Sequence, residues 1–380
     1  MKPTLRDLFR IVTPARTAAL AERTMSPPTA PFLENAVARW VESFADERPW
    51  IRLTRDRHGN LHLARRESSP TASPIVFSAH MDHPGFAVRR CLRRGKTFRL
   101  AADFRGGVEN RYFPGARVRF FSDEGAGTSA RVLSCKNDPK VGIKKVALES
   151  PLAVPSGALG MWDLPPFRHD KEKDLLWTRA ADDLGGVTAA LTFFDALPMV
   201  DPKGRTDVRL VLTRGEEVGF WGAIAASRAG RFPKGARMIS LETSKALPHA
   251  PLGGGPILRT GDRASVFDDG ITRSLARSAK LLSAAVPKEF RWQRKLMDGG
   301  TCEGTAFQAY GYRVGALCVP LLNYHNMGEN GRIAAEAVNL SDLTNLVRWM
   351  LFWTLEGKDS PPLKDHLEKI YKGWKPTAWS

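Results

Sequence analysis

The sequence predicts an α/β protein: a mostly parallel sheet with helices on both faces, interrupted by a small inserted all-β module. Three observations carry this. From Trp177 onward, helical and strand-like periodicities alternate, as in a chain that crosses back over a parallel sheet. Short apolar runs such as Ile75 to Ser78 lack polar alternation, the texture of strands covered on both faces. Between Val88 and Leu176 the texture changes to Gly, Pro and Arg with short β-like runs (Arg117 to Phe121, Ser129 to Leu133, Lys145 to Leu148) and no convincing helix. The expected organisation is a main domain built from 1–87 and 177–380, with 88–176 inserted.

The N-terminal elements read as helices. Leu5, Leu8, Phe9 and Val12 recur at helical spacing, Thr13-Pro14 supplies a cap and first position for a second helix, and Ser26-Pro27-Pro28 ends it. Pro31 is expected to open a third, with Phe32, Ala36, Trp40 and Phe44 on one face. Ile51 to Thr54 and Leu61 to Ala64 flank Arg57-His58-Gly59-Asn60 as a hairpin. Further on, helices are predicted over Gly185 to Leu197, Gly219 to Ala229, Ile271 to Ala285 and from a Ser341 cap to Leu355. Strands are predicted over Val208 to Thr213, Met238 to Leu241 and Val314 to Val319.

Composition removes several classes. The 380 residues, 43% hydrophobic and 26% charged, suit a globular protein with a large core. No run of 18 apolar residues occurs, so no membrane partner is expected. Met1 to Met25 lacks an apolar core and a cleavage site, so it does not read as a signal peptide. Four scattered cysteines form no C-x-x-C, which argues against a cysteine metal site and, with the absence of a leader, for the cytoplasm. The net charge of +17 invites a nucleic-acid reading. The basic residues are spread along the chain, with short clusters at Arg89-Arg90 and Arg93-Arg94 and no accompanying motif. A basic surface with no nucleic-acid partner is the preferred reading.

Chemistry concentrates after the apolar runs. Ile75 to Ala79 is followed by His80-Met81-Asp82, Val208 to Thr213 by Arg214-Gly215-Glu216-Glu217, and Met238 to Leu241 by Glu242. Val314 to Pro320 leads to His325, and Trp177 to Ala181 to Asp182-Asp183 before a Gly185-Gly186 helix start. In open α/β sheets ligands bind beyond the carboxyl ends of strands. Carboxylates gathered there repel one another unless cations neutralise them. Two histidines and three carboxylates suit two divalent ions sharing one carboxylate, each with about three protein ligands and an open position. These hard-to-borderline donors fit zinc, with cobalt or manganese as alternatives.

These motifs, Ala181-Asp182-Asp183-Leu184-Gly185-Gly186 and Thr213-Arg214-Gly215-Glu216-Glu217-Val218-Gly219 among them, resemble those of the glutamyl/deblocking (tetrahedral) aminopeptidase family of two-metal peptidases, over about residues 30 to 355. The resemblance implies a peptidase domain carrying an inserted β-barrel, peptide substrates and a homo-oligomer. It implies that Asp182 bridges two ions, with His80 and Glu242 on one and Glu217 and His325 on the other. It also implies Glu216 as general base and Asp82 as the residue that orients His80. The sequence departs from the family pattern at His83-Pro84, where Glu is common, at Leu184 in place of Arg, at Glu242 in place of Asp, and at Gly300-Thr301-Cys302-Glu303 in place of Gly-Thr-Asp.

The expected activity is therefore hydrolysis of N-terminal peptide bonds by a metal-activated water. Two alternatives stand beside it. One is a two-metal deacylase or carboxypeptidase acting on N-acyl amino acids. The other is a non-catalytic basic binding protein that keeps the fold, although such a protein has no need of five ligands and Glu216 together. His83 reads either as a third ligand or substrate contact or as a hydrogen-bonded loop histidine, and Cys302 as a nucleophile without an identified histidine or as a packing residue. Gly253-Gly254-Gly255 lacks phosphate-loop spacing and reads as a flexible loop near the site.

Overall fold

Successive residues of a strand face opposite sides of its sheet, and along Ile75–His80 both sides are apolar. Ile75, Phe77 and Ala79 enter one core with the helices Leu5–Ile11, Pro14–Met25, Asn35–Asp46, Leu184–Val200, Asp269–Ala285 and Leu340–Glu356. Val76 enters another with Trp221–Arg228 and Glu303–Ala309. Helices therefore cover both faces. The computed structural model describes residues 5–70, 73–122, 125–138, 142–356 and 360–373. The first four residues of the Met1 to Met25 segment lie outside them.

Four parallel strands form the centre of the main sheet, in the order Val208–Thr213, Ile75–His80, Arg237–Lys245, Arg313–Leu322. Antiparallel strands extend it. The hairpin Ile51–Arg55/Leu61–Arg65 lies on one side, with Glu336–Asn339, Leu175–Thr178 and Phe167–Asp170 on the other. Ile257–Asp262 and Gln293–Met297 branch from Arg313–Leu322. Ile75–His80 and Arg237–Lys245 pair only as far as Ser78 and Ser240, while the latter stays paired with Arg313–Leu322 through Lys245. The two neighbours thus part as they reach His80 and Glu242, and the gap receives the loop that carries Asp182.

The insert is a closed antiparallel barrel of six strands, in the order Gly85–Arg94, Thr97–Arg105, Ile143–Ser150, Gly125–Asp138, Arg117–Ser122, Leu159–Trp162. Its core is aromatic. Trp162 meets Phe86, Phe104 and Phe113 at centroid distances of 4.9, 5.8 and 5.2 Å.

Several sequence expectations shift. The 88–176 span is longer than the barrel at its C-terminal side, because Phe167–Asp170 and Leu175–Thr178 pair with the main sheet. The third helix begins at Asn35, not Pro31, because Phe32 is in the left-handed region at φ 68°. The last core helix is capped by Asn339, whose Oδ1 accepts from the Asp342 N–H, with Ser341 already inside the helix. Gly253-Gly254-Gly255 is tied down, with the N–H groups of Gly253 and Gly255 each donating to the Asp342 carboxylate at 2.8 Å. Glu242 lies inside a strand that runs on to Lys245. An exposed helix, Leu363–Gly373, follows the core. Among the described residues no helix is long and apolar enough to cross a membrane.

Replacing Trp162 with Ala removes the ring that three phenylalanines pack against. The expected cost is about 3–5 kcal/mol, the range for emptying a large aromatic site. A urea titration followed by aromatic circular dichroism checks it, and an unchanged midpoint contradicts the packing argument.

Candidate metal centre

The parting of the central strands opens a space at their carboxyl ends, and five loops or strand ends fill it with His80, Asp182, Glu216, Glu217, Glu242 and His325. Ligand-type atoms fall into three close groups, each within 4.8 Å: His80, Asp182 and Glu242; Asp182, Glu217 and His325; and His80, Glu216 and Glu217. Asp182 belongs to the first two. Its Oδ1 is 3.6 Å from His80 Nε2 and its Oδ2 is 3.3 Å from His325 Nε2. His325 Nε2 is also 3.1 Å from Glu217 Oε1, and His80 Nε2 is 3.8 Å from Glu216 Oε2.

Each loop is held from behind. Asp82 is fully buried, and its two carboxylate oxygens accept the backbone N–H groups of Glu216 and Glu217 at 3.0 and 3.1 Å. Gly215, at φ 61°, makes the turn that presents them. His80 Nδ1 is oriented by the carbonyl oxygen of Asp82 at 3.0 Å, whereas the Asp82 carboxylate is 3.7 Å away. Asp82 therefore orients His80 through its backbone carbonyl and supports the Glu216-Glu217 turn through its side chain.

Glu336 plays the same part on the other side. Oε2 accepts from the N–H groups of Ala181 and Asp182 at 2.7 and 3.0 Å, and Oε1 from the His325 N–H at 2.7 Å. His325 sits in the left-handed region at φ 57°, and its Nδ1 is 2.9 Å from the carbonyl of Gly107 in the barrel module. Asp183 caps the helix Leu184–Val200 through the Gly186 N–H and accepts the His80 N–H at 3.3 Å. A Cβ at Gly186 would collide with that cap.

His83 is fully buried, with Nδ1 on the Asp182 carbonyl at 2.5 Å and Nε2 on Asn326 Oδ1 at 3.0 Å. Both nitrogens are occupied, so it is the hydrogen-bonded alternative that the structure supports. Cys302 is buried, and burial pushes its thiol well above the ordinary cysteine range, opposite to what a nucleophile needs. Glu336 and the Gly107 carbonyl had no sequence signal. The first is one acid in a four-residue strand and the second is a backbone oxygen.

The electrostatics call for cations. Burial, opposed by His80 and Arg259 and reinforced by Asp182, raises Glu242 to about 8. Burial, with Glu242, Glu217 and Asp82, holds Glu216 well above the usual carboxylate range despite His80. Burial raises Asp182 as well, but His325 and His80 outweigh it and leave it low. For His80, burial lowers the pKa, yet Glu216, Asp182 and Asp82 hold it well above its ordinary value. Glu242 Oε1 is buried with no hydrogen-bond partner among the described residues, and Glu217 Oε1 and His325 Nε2, 3.1 Å apart, meet as an ion pair without a well-directed hydrogen bond. Under-satisfied polar atoms are costly in such a place, and on ligand-type groups they fit divalent cations. The adjoining cleft, about 170 Å³, reaches past Lys245, Leu247, Arg259, Met297 and Thr301.

An α/β fold that carries a barrel insert is shared with solved structures of peptidases. The sequence matches the model of the M42 glutamyl aminopeptidase family over residues 140–348, and the chain belongs to that family. Among solved structures it is similar to the TET1 peptidase of Pyrococcus horikoshii, described as assembling into a tetrahedron or a large octahedral shell (21% identity, 89% of this chain and 99% of that one, TM-score 0.70). It is also similar to aminopeptidase APDkam598 of Desulfurococcus kamchatkensis (21%, 91% and 96%, TM-score 0.72). A third similar structure is a TET aminopeptidase from a marine-sediment Thaumarchaeota archaeon (19%, 90% and 99%, TM-score 0.72). No curated protein matches the sequence significantly.

Glu336→Gln leaves one acceptor oxygen where two serve three N–H groups. We expect a 10–100-fold loss of divalent-metal affinity, the range for losing support behind a ligand, with correct folding by circular dichroism. Metal titration checks it, and wild-type affinity would show that Glu336 does not position the ligands.

Proposed function

We propose that this protein is a dinuclear metal-dependent aminopeptidase. The observation that carries the reading is Asp182, whose two oxygens face two different ligand groups, one with His80 and Glu242 and one with Glu217 and His325. Bound zinc, or cobalt or manganese, supplies Lewis acidity there and lowers the pKa of water. Asp182 would be the shared ligand, and His80, Glu242, Glu217 and His325 would complete the two sets.

Glu216 is left over from both sets. It points toward His80 and sits at the wall of the cleft. In its carboxylate form its Oε2 accepts a proton from the attacking water and returns it to the leaving amine, as a general base and then acid. The small cleft beside the ligands suits one side chain at a chain end, and peptides with a free N-terminus are the proposed substrates. A homo-oligomer in the cytoplasm is the proposed setting. Its support is the family and the similarity to proteins described as shells, and light scattering tests the oligomer.

Elemental analysis of reconstituted protein should give about two divalent ions per chain, as the two ligand sets require. One ion or none contradicts the dinuclear reading. A panel of aminoacyl and N-blocked aminoacyl chromogenic substrates should show turnover only with a free amine, and preference for blocked substrates would favour a deacylase.

Glu216→Gln should keep near-normal metal content and substrate affinity and lose about 10²–10⁴-fold in kcat, as for removal of a general base. Glu217→Gln should lose metal first, since an amide is a poorer ligand. Metal loss in Glu216→Gln with retention in Glu217→Gln would reverse the two roles.

A further inference from the structure

A second cleft, of about 730 Å³, lies on the seam between the barrel and the main domain and shares no lining residue with the metal centre. Its walls come from the helix Asn35–Asp46, the barrel strand Arg117–Ser122, the Asp163 to Pro166 connection and the segment that runs from Leu175–Thr178 to Asp182. Three arginines line it, Arg39, Arg119 and Arg179, with one carboxylate, Asp163. That carboxylate is already engaged, by Arg119 at 2.7 Å and Ser129 at 2.7 Å, with Arg117 at 3.8 Å.

Arg179 is the unusual member. Only 5% of its surface is exposed. One amino group donates to the Ser26 carbonyl at 2.6 Å, and the guanidinium lies over the Phe121 ring at 4.7 Å from its centroid. Its Nε is buried with no hydrogen-bond partner, and among the described residues no carboxylate forms an ion pair with it. A buried cation left without a counter-charge is costly, and a guanidinium offers paired N–H groups that match an oxyanion. Burial, then Arg119, pulls Arg179 down to about 10, with Asp163 opposing, the mark of a positive charge that lacks a partner. Arg39, on the exposed side of its helix, adds a further cation at the rim.

We propose that this cleft is an oxyanion site, in which Arg179, with Arg119 and Arg39, takes the carboxylate or phosphate group of a small molecule. A bound anion would bridge barrel and sheet at the segment leading to Asp182. The site stands independently of the peptidase reading, because none of its residues belongs to the metal centre.

Isothermal titration calorimetry of the metal-loaded protein at constant ionic strength, with inorganic phosphate in one arm and acetate in the other, tests it. Saturable binding of about one anion per chain is expected in at least one arm, and the arm identifies the group recognised. Arg179→Gln should weaken it tenfold or more, and the surface change Arg39→Ala severalfold without affecting folding. Phosphate at the metal centre would bind wild type and both variants alike, so equal binding in all three overturns the proposal. If Arg179→Gln does not fold, undiminished binding by Arg39→Ala does so by itself. A changed subunit number for Arg39→Ala in light scattering also overturns it, because the cleft would then be covered by a second copy.

Discussion

Four carboxylates, Asp182, Glu216, Glu217 and Glu242, converge at the end of a sheet where water is largely excluded, and the surrounding structure depends on managing that charge. Two histidines within 4 Å offset part of it. The rest appears as the raised pKa values of Glu216 and Glu242 and as a buried Glu242 Oε1 with no hydrogen-bond partner among the described residues. A sheet whose central strands stayed paired to their ends would have no room for these groups. The separation of Ile75–His80 from Arg237–Lys245 after Ser78 and Ser240 is therefore as much a part of the site as the side chains are.

Convergence of like charges also requires loops that cannot retreat. Asp82 and Glu336 meet that need by the same device, a buried carboxylate accepting the backbone N–H groups of ligand-bearing residues. Charge-assisted bonds of this kind are stronger than neutral ones, and each carboxylate fixes two adjacent ligand positions or two separate loops at once. The barrel takes part as well. The Gly107 carbonyl sets the ring orientation of His325, so a module with its own aromatic core also reaches the proposed metal centre.

The sequence made the centre of this arrangement legible because each of these residues follows an apolar run, and the α/β alternation placed those runs side by side. Val208–Thr213 was readable to the residue, since six residues of it are mainly aliphatic and a glycine turn follows. The strand Ile257–Asp262 was not, because Arg259 and Asp262 are charged groups buried against Ser244, Thr305 and each other, which breaks the apolar pattern. Glu336 was silent for a related reason. Its function is to accept backbone N–H groups from residues 11 and about 155 positions away, and no local spacing encodes that. Phe32 delayed the start of the third helix to Asn35 through a left-handed backbone that its residue type does not announce.

The different aims of Glu216 and Glu217 follow from the clamp rather than from either side chain. Asp82 holds both N–H groups with its two oxygens, so the short 3₁₀ turn from Glu216 to Val218 is fixed in orientation. Successive residues of such a turn project about a third of a revolution apart. Once Glu217 is aimed at His325, at 3.1 Å, Glu216 is aimed elsewhere, toward His80 at 3.8 Å. His80 already has Asp182 and Glu242 in its group, so Glu216 is the acid left without a place in either set that Asp182 shares. A carboxylate held beside such a centre, with its pKa raised, is suited to carrying a proton. Loss of the Asp82 carboxylate would free the two N–H groups whose fixed positions set those directions.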